Sequence, residues 1–401
     1  MTNILLYLPP PYKDSGGLGN FKLFFDICKG LGYSIYFCPL FKNIPNIGFY
    51  TQFNDRNIDT ITHEELINYY QHPSRPIEFI ESCDIVTPSI LQARNNVVIY
   101  CEDVMGNPSE QQHIVRWLFY FPIPSVLPYY NFDSDFICFY SEYIFNFYKF
   151  ICISCGFPDF LTKRIKKLNI CRIFKFQPHV YNSLPKRLIN STMTTNSKCF
   201  TIRKGFPPAS FSAYNNRINI EYYKKIMQNY KTSIQILTQQ INTTTTFKKR
   251  QIKKQLIDII NNPPKMNSFL TIKNYLKTKF LNMNYENIEE KTSSIEYINY
   301  FKTKDFFLSF DPFTFISIIA SLSGCISVIK KIHGLNFEEW RNGEPFNKYG
   351  IAYGHDGIQY ALQTQHLLLD HITNMYSQNT NNVIDLINNI QKHFNITINK
   401  I

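Results

Sequence analysis

No stretch of this sequence approaches the ~20 consecutive apolar residues that a membrane-spanning helix needs. Nor does the N-terminus carry a basic leader followed by a small-residue cleavage site, since residues 3–8 read as a first strand instead. A soluble, intracellular protein is therefore expected, in a cytoplasm. Paired cysteine spacing is also missing. The ten cysteines are scattered, and several (Cys38, Cys101, Cys138, Cys325) sit within apolar runs, which suits buried free thiols in a reducing compartment. The single CxxC, Cys152 to Cys155, has no second pair at zinc spacing and apolar flanks, so coincidence is the better account of it. The nine histidines form no HxxxH pair with a placed carboxylate, and no catalytic metal is expected. A GxSxG elbow and a GxxxxGK[ST] loop are both absent, which argues against a serine hydrolase and a P-loop NTPase. The GxGxxG fingerprint fails too, because Gly17-x-Gly19 is followed by Lys22.

Acidic charge is in short supply, 30 residues against 42 basic ones, for a net charge of +12. Such a balance fits nucleic acid, an anionic surface or a phosphate-bearing substrate. Many lysines fall in Asn- and Ile-rich stretches, however, and the Lys-rich segment at 247–254 lacks interleaved aromatics, so nucleic acid is the weaker reading.

With 44% hydrophobic and 16% aromatic residues, the 401-residue chain can build the cores of two domains. A strand at 3–8, a glycine-bearing loop, a helix at 21–31 and a strand at 34–38 make a β-loop-α-β opening. Buried strands are expected at 83–86, 97–101 and 136–139, and a helix at 113–120. The expected class is α/β with parallel, doubly wound sheets. One domain spans 1–180. A second spans 198–365 and carries a polar helical insertion at about 217–262, C-terminal helices fill 366–401, and helices are expected at 359–376 and 382–394.

Four clusters could carry chemistry. Gly16 and Gly17 stand where the first strand turns into its helix, either as a tight turn or as a close approach to a ligand. Glu102 and Asp103 follow the strand at 97–101, with Asn107 in a turn and His113 and Arg116 on the helix expected next. A carboxylate there could take a proton from an attacking hydroxyl while Arg116 holds an anion; equally, Arg116 and Glu102 could form a structural ion pair with Asp103 as a cap. Arg203 and Lys204 follow a strand beginning at 198 and suit a diphosphate or, alternatively, an exposed basic turn. The fourth cluster lies between an aromatic strand at 306–310 and a buried strand at 325–329. Asp311-Pro312 reads as a helix cap and first turn, with Thr314 and Ser317 at the same polar end and Gly324 as its stop. A helix start of this kind attracts phosphate, although a capped core helix needs no other purpose.

In sequence order, Tyr100-Cys101-Glu102 with Gly106-Asn107-Pro108 and Val115-Arg116-Trp117, then Arg203-Lys204-Gly205, then Ser309-Phe310-Asp311-Pro312-Phe313-Thr314-Phe315-Ile316-Ser317 with Gly324-Cys325, then Glu338-Glu339-Trp340 and Lys348-Tyr349-Gly350-Ile351-Ala352-Tyr353-Gly354 resemble a group of bacterial and viral glycosyltransferases of the GT-B fold. The resemblance implies two facing Rossmann-like domains, the N-terminal one for the acceptor and the C-terminal one for a nucleotide-sugar donor, with a C-terminal helix returning to the first. It implies that Arg203 and Lys204 neutralise the donor diphosphate and that Asp311 meets sugar hydroxyls. Amides at Phe313 to Phe315, with Thr314, would cradle phosphate, and Gly16 and Gly17 would let backbone approach the donor. The nucleotide-sugar is then a co-substrate, with no cofactor and no metal, and the acceptor is a glycan, a lipid-linked group or a protein. One departure is plain: the position eight residues after Asp311, where many retaining members carry a ribose-binding glutamate, is Ile319. An inverting enzyme would need a base, for which Glu102 or Asp103 is first choice. A non-catalytic module of the same fold is the competing expectation.

Overall fold

The computed structural model describes residues 2–8, 16–39, 84, 86–102, 104, 106–119, 130–146, 165, 168–182, 198–201, 285–288, 294–311, 314–331 and 336–400. They fall into two compact units. One takes its residues from Met1–Lys175 and Gln378–Ile401, the other from Phe176–Lys225 and Pro264–Ser377.

The first unit holds a five-stranded sheet of β1 (Ile4–Leu8), β2 (Ile35–Pro39), β3 (Val97–Tyr100), β4 (His113–Leu118) and β5 (Phe136–Phe139) in the order β2-β1-β3-β4-β5. Every pairing is parallel. Four of them, β1, β2, β3 and β5, read as continuous apolar runs because both faces are covered, as all-parallel sheets require. A further stretch of backbone joins the β2 edge, where Phe37 donates to the Asp84 carbonyl and accepts from the Val86 amide. With that addition the order is the one in which chain direction across the sheet reverses between β1 and β3. Helix α1 (Gly16–Gly30) crosses from β1 to β2 and buries Phe21, Phe24, Phe25 and Cys28. It begins five residues ahead of the expected start, so Gly16 and Gly17 form its first turn. The short α2 (Pro88–Gln92), capped by Thr87, leads toward β3.

The strand β4 corrects the sequence reading. The sequence reading expects a helix at 113–120. Val115, Arg116, Trp117 and Leu118 are in fact all buried there. Helix α9 (Asn379–Phe394) closes this unit, with Val383, Leu386, Ile387 and Ile390 in the same core as β1 and β3. Ile398 then bridges Thr2, and the Asn399 carbonyl accepts from Ser34.

The second unit repeats the plan, with the short helix α3 (Pro178–Asn182) ahead of its first strand. Its strands β6 (Lys198–Thr201), β7 (Tyr285–Asn287), β8 (Phe306–Ser309), β9 (Ile326–Ile329) and β10 (Ile351–Tyr353) are ordered β10-β9-β8-β6-β7 and are all parallel. Numbered from its first strand, each sheet runs 2-1-3-4-5, so this unit's reversal falls between β6 and β8. Helix α4 (Ser294–Phe301) precedes β8, and α5 (Phe315–Leu322) links β8 to β9. On the opposite face Leu308, Phe310, Val328 and Ala352 pack against Ala361 of α7 (Ile358–Thr364). A Schellman stop ends α5: Gly324 takes φ +96°, its amide bonds the Ser321 carbonyl, and the Cys325 amide bonds that of Ala320. Beyond α6 (Phe337–Gly343) and α7, α8 (Leu368–Ser377) completes the described part of the unit. The expected single helix at 359–376 is divided, because a 3-10 turn at Gln365–Leu367 separates α7 from α8. The insertion at 217–262 lies outside the described residues. Among the described residues no helix is long and apolar enough to cross a membrane.

Candidate functional site

In open parallel sheets, ligands bind beyond the carboxyl ends of the strands where the order reverses. Both units place sequence-predicted residues there.

In the second unit the reversal lies between β6 and β8, where Thr201 and Ser309 are register partners. Ser309 is wholly buried, and its hydroxyl both donates to the Asp311 carbonyl at 2.7 Å and accepts from the Asp311 amide at 3.1 Å. That exchange turns the backbone sharply out of β8 and leaves Asp311 only 8% exposed at the strand end. The helix cap is Thr314 rather than Asp311: its φ and ψ are −83° and 133°, and its Oγ1 accepts from the Ile316 amide at 3.3 Å. Its carbonyl takes the Ser317 amide at 3.1 Å. Two of the first-turn amides thus already have partners. Ser317 is 1% exposed, and its hydroxyl finds no hydrogen-bond partner among the described residues. Phe315, the first residue of α5, sets its ring edge-on to Phe346 at 5.8 Å. Phe313, Arg203 and Lys204 lie outside the described residues; the two cations follow Thr201 by two and three positions in sequence. Ile319, where a ribose-binding acid was sought, is buried in the core.

In the first unit the reversal lies between β1 and β3. Tyr7 pairs with Tyr100 in register, and Glu102 follows Tyr100 by two residues. The Glu102 carboxylate accepts from the Phe119 amide at 3.2 Å, just past the end of β4. Phe119 in turn packs on Phe21 of α1 at 4.7 Å. Glu102 and the start of α1, with Gly16 and Gly17, therefore share the carboxyl edge of one sheet. Asp103 lies outside the described residues.

Arg116 does not pair with Glu102, and it is not available to an anion. Its side chain is 1% exposed, and Nε meets Asp135 at 2.8 Å, itself 1% exposed. Nη1 donates to the Val104 carbonyl at 2.8 Å and Nη2 to that of Gly106 at 2.5 Å. The guanidinium also lies over the Tyr130 ring at 4.4 Å and near Tyr100 at 5.3 Å. Asn107 is committed as well: its side chain accepts from Tyr100 Oη at 2.9 Å and donates to the Gln111 carbonyl at 2.8 Å. Burial pushes the Tyr100 hydroxyl far up, so it acts there as a neutral donor. His113 is placed elsewhere. It opens β4 opposite Val97, the first residue of β3, at the edge away from Glu102, and rests on Phe394 at 5.0 Å. Of the group expected around Glu102, Asn107 and Arg116 serve the loop and His113 lies apart, while the separate Gly16-Gly17 cluster opens the helix that follows the neighbouring strand β1.

The two C-terminal motifs are architecture. Asn336 and Glu339 form a reciprocal capping box at the start of α6, and Trp340, fully buried, stacks on Tyr353 at 4.9 Å. Gly350 lies against α5, where its carbonyl accepts from Ser321 Oγ at 2.6 Å. Sequence reading missed Asp135, Tyr130 and Gln365, whose amide reaches the Ser321 carbonyl at 2.6 Å. A buried arginine in an apolar strand was the available signal for Asp135, since such a cation demands an anion. Among the described residues, no group of three or more His, Cys, Asp or Glu side chains is placed to hold a metal ion. The sequence matches no protein-family model and no curated protein.

Proposed function

We propose that this protein is a glycosyltransferase of the GT-B type, moving a sugar from a nucleoside-diphosphate sugar to a hydroxyl on a glycan, lipid-linked or protein acceptor. The observation that carries the reading is the strand end and helix start at the reversal of the second sheet. There Ser309 bends the chain, Asp311 stands at the β8 terminus and Thr314 caps α5, a position where a phosphorylated ligand meets the positive end of a helix. In this reading Arg203 and Lys204 neutralise the diphosphate as it becomes the leaving group, the largest electrostatic task of the reaction. Asp311 holds sugar hydroxyls, and the backbone at Thr314 and Phe315 takes phosphate oxygens. Glu102 is the base that accepts the acceptor's proton, with Asp103 as the alternative. Bringing donor and acceptor together supplies the other main contribution.

The test is a thermal-shift panel of UDP, GDP, dTDP and their hexose derivatives. A donor at 100 times its Kd stabilises the fold by about 2.7 kcal/mol. No shift with any of them would remove the basis for the donor site. One observation favours a non-catalytic module instead: the Glu102 carboxylate is bonded to the Phe119 amide, a use that needs no chemistry. Nucleotide binding with no sugar release from any donor would select that reading.

A further inference from the structure

We infer that the buried Arg116–Asp135 pair, together with Tyr130, is a positioning device for the Glu102 carboxylate. Glu102 sits on a connection that leaves β3 at Tyr100 and must return to start β4 at His113. Such a connection exposes backbone carbonyls that regular structure does not satisfy. Arg116 takes two of them, Val104 and Gly106, with Nη1 and Nη2, while its Nε is held by Asp135. Asp135 is fixed in turn, because the same Oδ2 accepts from the Asn131 amide at 3.2 Å. The guanidinium lies over the Tyr130 ring at 4.4 Å, and Tyr130 donates its hydroxyl to the Glu102 carbonyl at 2.5 Å. Glu102 is thus tied at its own carbonyl, at two carbonyls downstream and, through its carboxylate, at Phe119.

A methionine or leucine at 116 would fill the space of the arginine as well, and a buried ion pair is weak evidence for stability as such. What the fork supplies that a hydrocarbon lacks is direction: planar donors at fixed angles aim three partners at once. Arg116 and Asp135 contact no reacting atom, so they act through Glu102. The mechanical part of this inference stands on the geometry; its catalytic meaning rests on the glycosyl-transfer reading.

The two parts separate in one set of variants: Asp135→Asn, Tyr130→Phe and, as calibration, Glu102→Ala. Residue-resolved amide hydrogen exchange follows Phe119, whose protection reports the Glu102 bond, against Ile99 in the middle of β3. Glu102→Ala sets the rate expected when that bond is gone. Asp135→Asn and Tyr130→Phe are each expected to raise Phe119 exchange at least tenfold while Ile99 stays protected. Should Asp135→Asn fail to fold, Tyr130→Phe, which keeps the ion pair, carries the test. Unchanged Phe119 protection in the folded variants would overturn the device. Release of nucleoside diphosphate from UDP-, GDP- and dTDP-hexoses then reads its consequence. Turnover at saturating donor falls at least tenfold, while the donor-induced melting shift stays as in the wild type. Equal turnover in wild type and variants would overturn the positioning role. Absence of release by the wild-type protein counts against glycosyl transfer, and the exchange result still decides the clamp.

Discussion

Replacing Gly350 by alanine tests whether the Tyr349-Gly350 segment is packing rather than ligand site. Gly350 has φ +69°, and a Cβ built there would lie 2.8 Å from Ser321 Oγ, 3.1 Å from Leu368 Cδ2 and 3.2 Å from the Gln365 Cα. The left-handed conformation costs an L-residue about 1–2 kcal/mol. Overpacking adds about 1–3 kcal/mol, because the Gln365 backbone cannot rotate away as the Leu368 methyl can. Reduced freedom of the unfolded chain returns about 0.4–1 kcal/mol. Gly350→Ala should therefore destabilise the second unit by about 2–4 kcal/mol. Gly106→Ala is the control, since φ is +62° but nothing lies within 4 Å of its Cβ; it should cost about 1 kcal/mol. The chain has two tryptophans, Trp117 in the first unit and Trp340 in the second. Urea unfolding of a Trp117→Phe background, followed by Trp340 fluorescence, therefore reports the second unit alone. The Gly106 control is followed by Trp117 in a Trp340→Phe background. Adding Ser321→Ala to Gly350→Ala should recover at least ~0.5 kcal/mol of coupling, as expected for residues in contact. A Gly350→Ala cost no larger than that of Gly106→Ala, with no coupling to Ser321, would refute the packing account.

Thr314→Ala removes the cap of α5 and should lower stability by about 1 kcal/mol, read by urea unfolding, with Thr314→Ser restoring most of it. Asp311→Asn should weaken donor binding at least tenfold at an unchanged melting temperature, measured by titration calorimetry with whichever donor the thermal panel identifies. Glu102→Gln keeps an oxygen for the Phe119 amide, so the melting temperature should hold while turnover drops by about 10²–10⁴, the usual worth of a general base. Desolvation lowers the His113 pKa, so the folded state disfavours its proton. The associated stability is fully present above the unfolded value near 6.5 and is lost as pH falls below it toward the folded value. Melting curves between pH 7 and 5 should therefore decline less steeply in His113→Phe than in wild type.

Much of the fold was legible because its signals are local. A parallel strand covered on both faces must be apolar along its whole length, so β1, β3, β5, β8 and β9 announce themselves as short apolar runs. Likewise, Gly324 is visible as a helix stop, since only glycine takes its backbone angle without strain. The carboxyl ends of β3 and β8 could be marked from sequence as places for ligands, and Glu102 and Asp311 stand at them. The cap of α5 was misplaced by three residues for a reason visible only in three dimensions. Ser309 satisfies both backbone groups of Asp311, which leaves Thr314 to end the turn and start the helix.

Tertiary structure decided what depends on partners distant in sequence. An arginine at the fourth position of β4 makes the segment read as polar, and periodicity alone favours a helix there. Asp135, nineteen residues on, neutralises it, and Val104 and Gly106 absorb its remaining donors, so a strand can bury it whole. The same long-range pairing makes Arg116, which the sequence left as either an anion ligand or a partner of Glu102, a brace held by Asp135. His113, three residues earlier on the same strand, is carried to the opposite edge of the sheet, about 10 Å away at the rise of an extended chain. Strand order belongs to this class too. Sequence supplied the strands and their hydrophobicity; which edges meet was settled by burying every face at once. That packing ties Glu102 to Phe119, which rests on Phe21 of α1, and sets the end of β6 beside the end of β8.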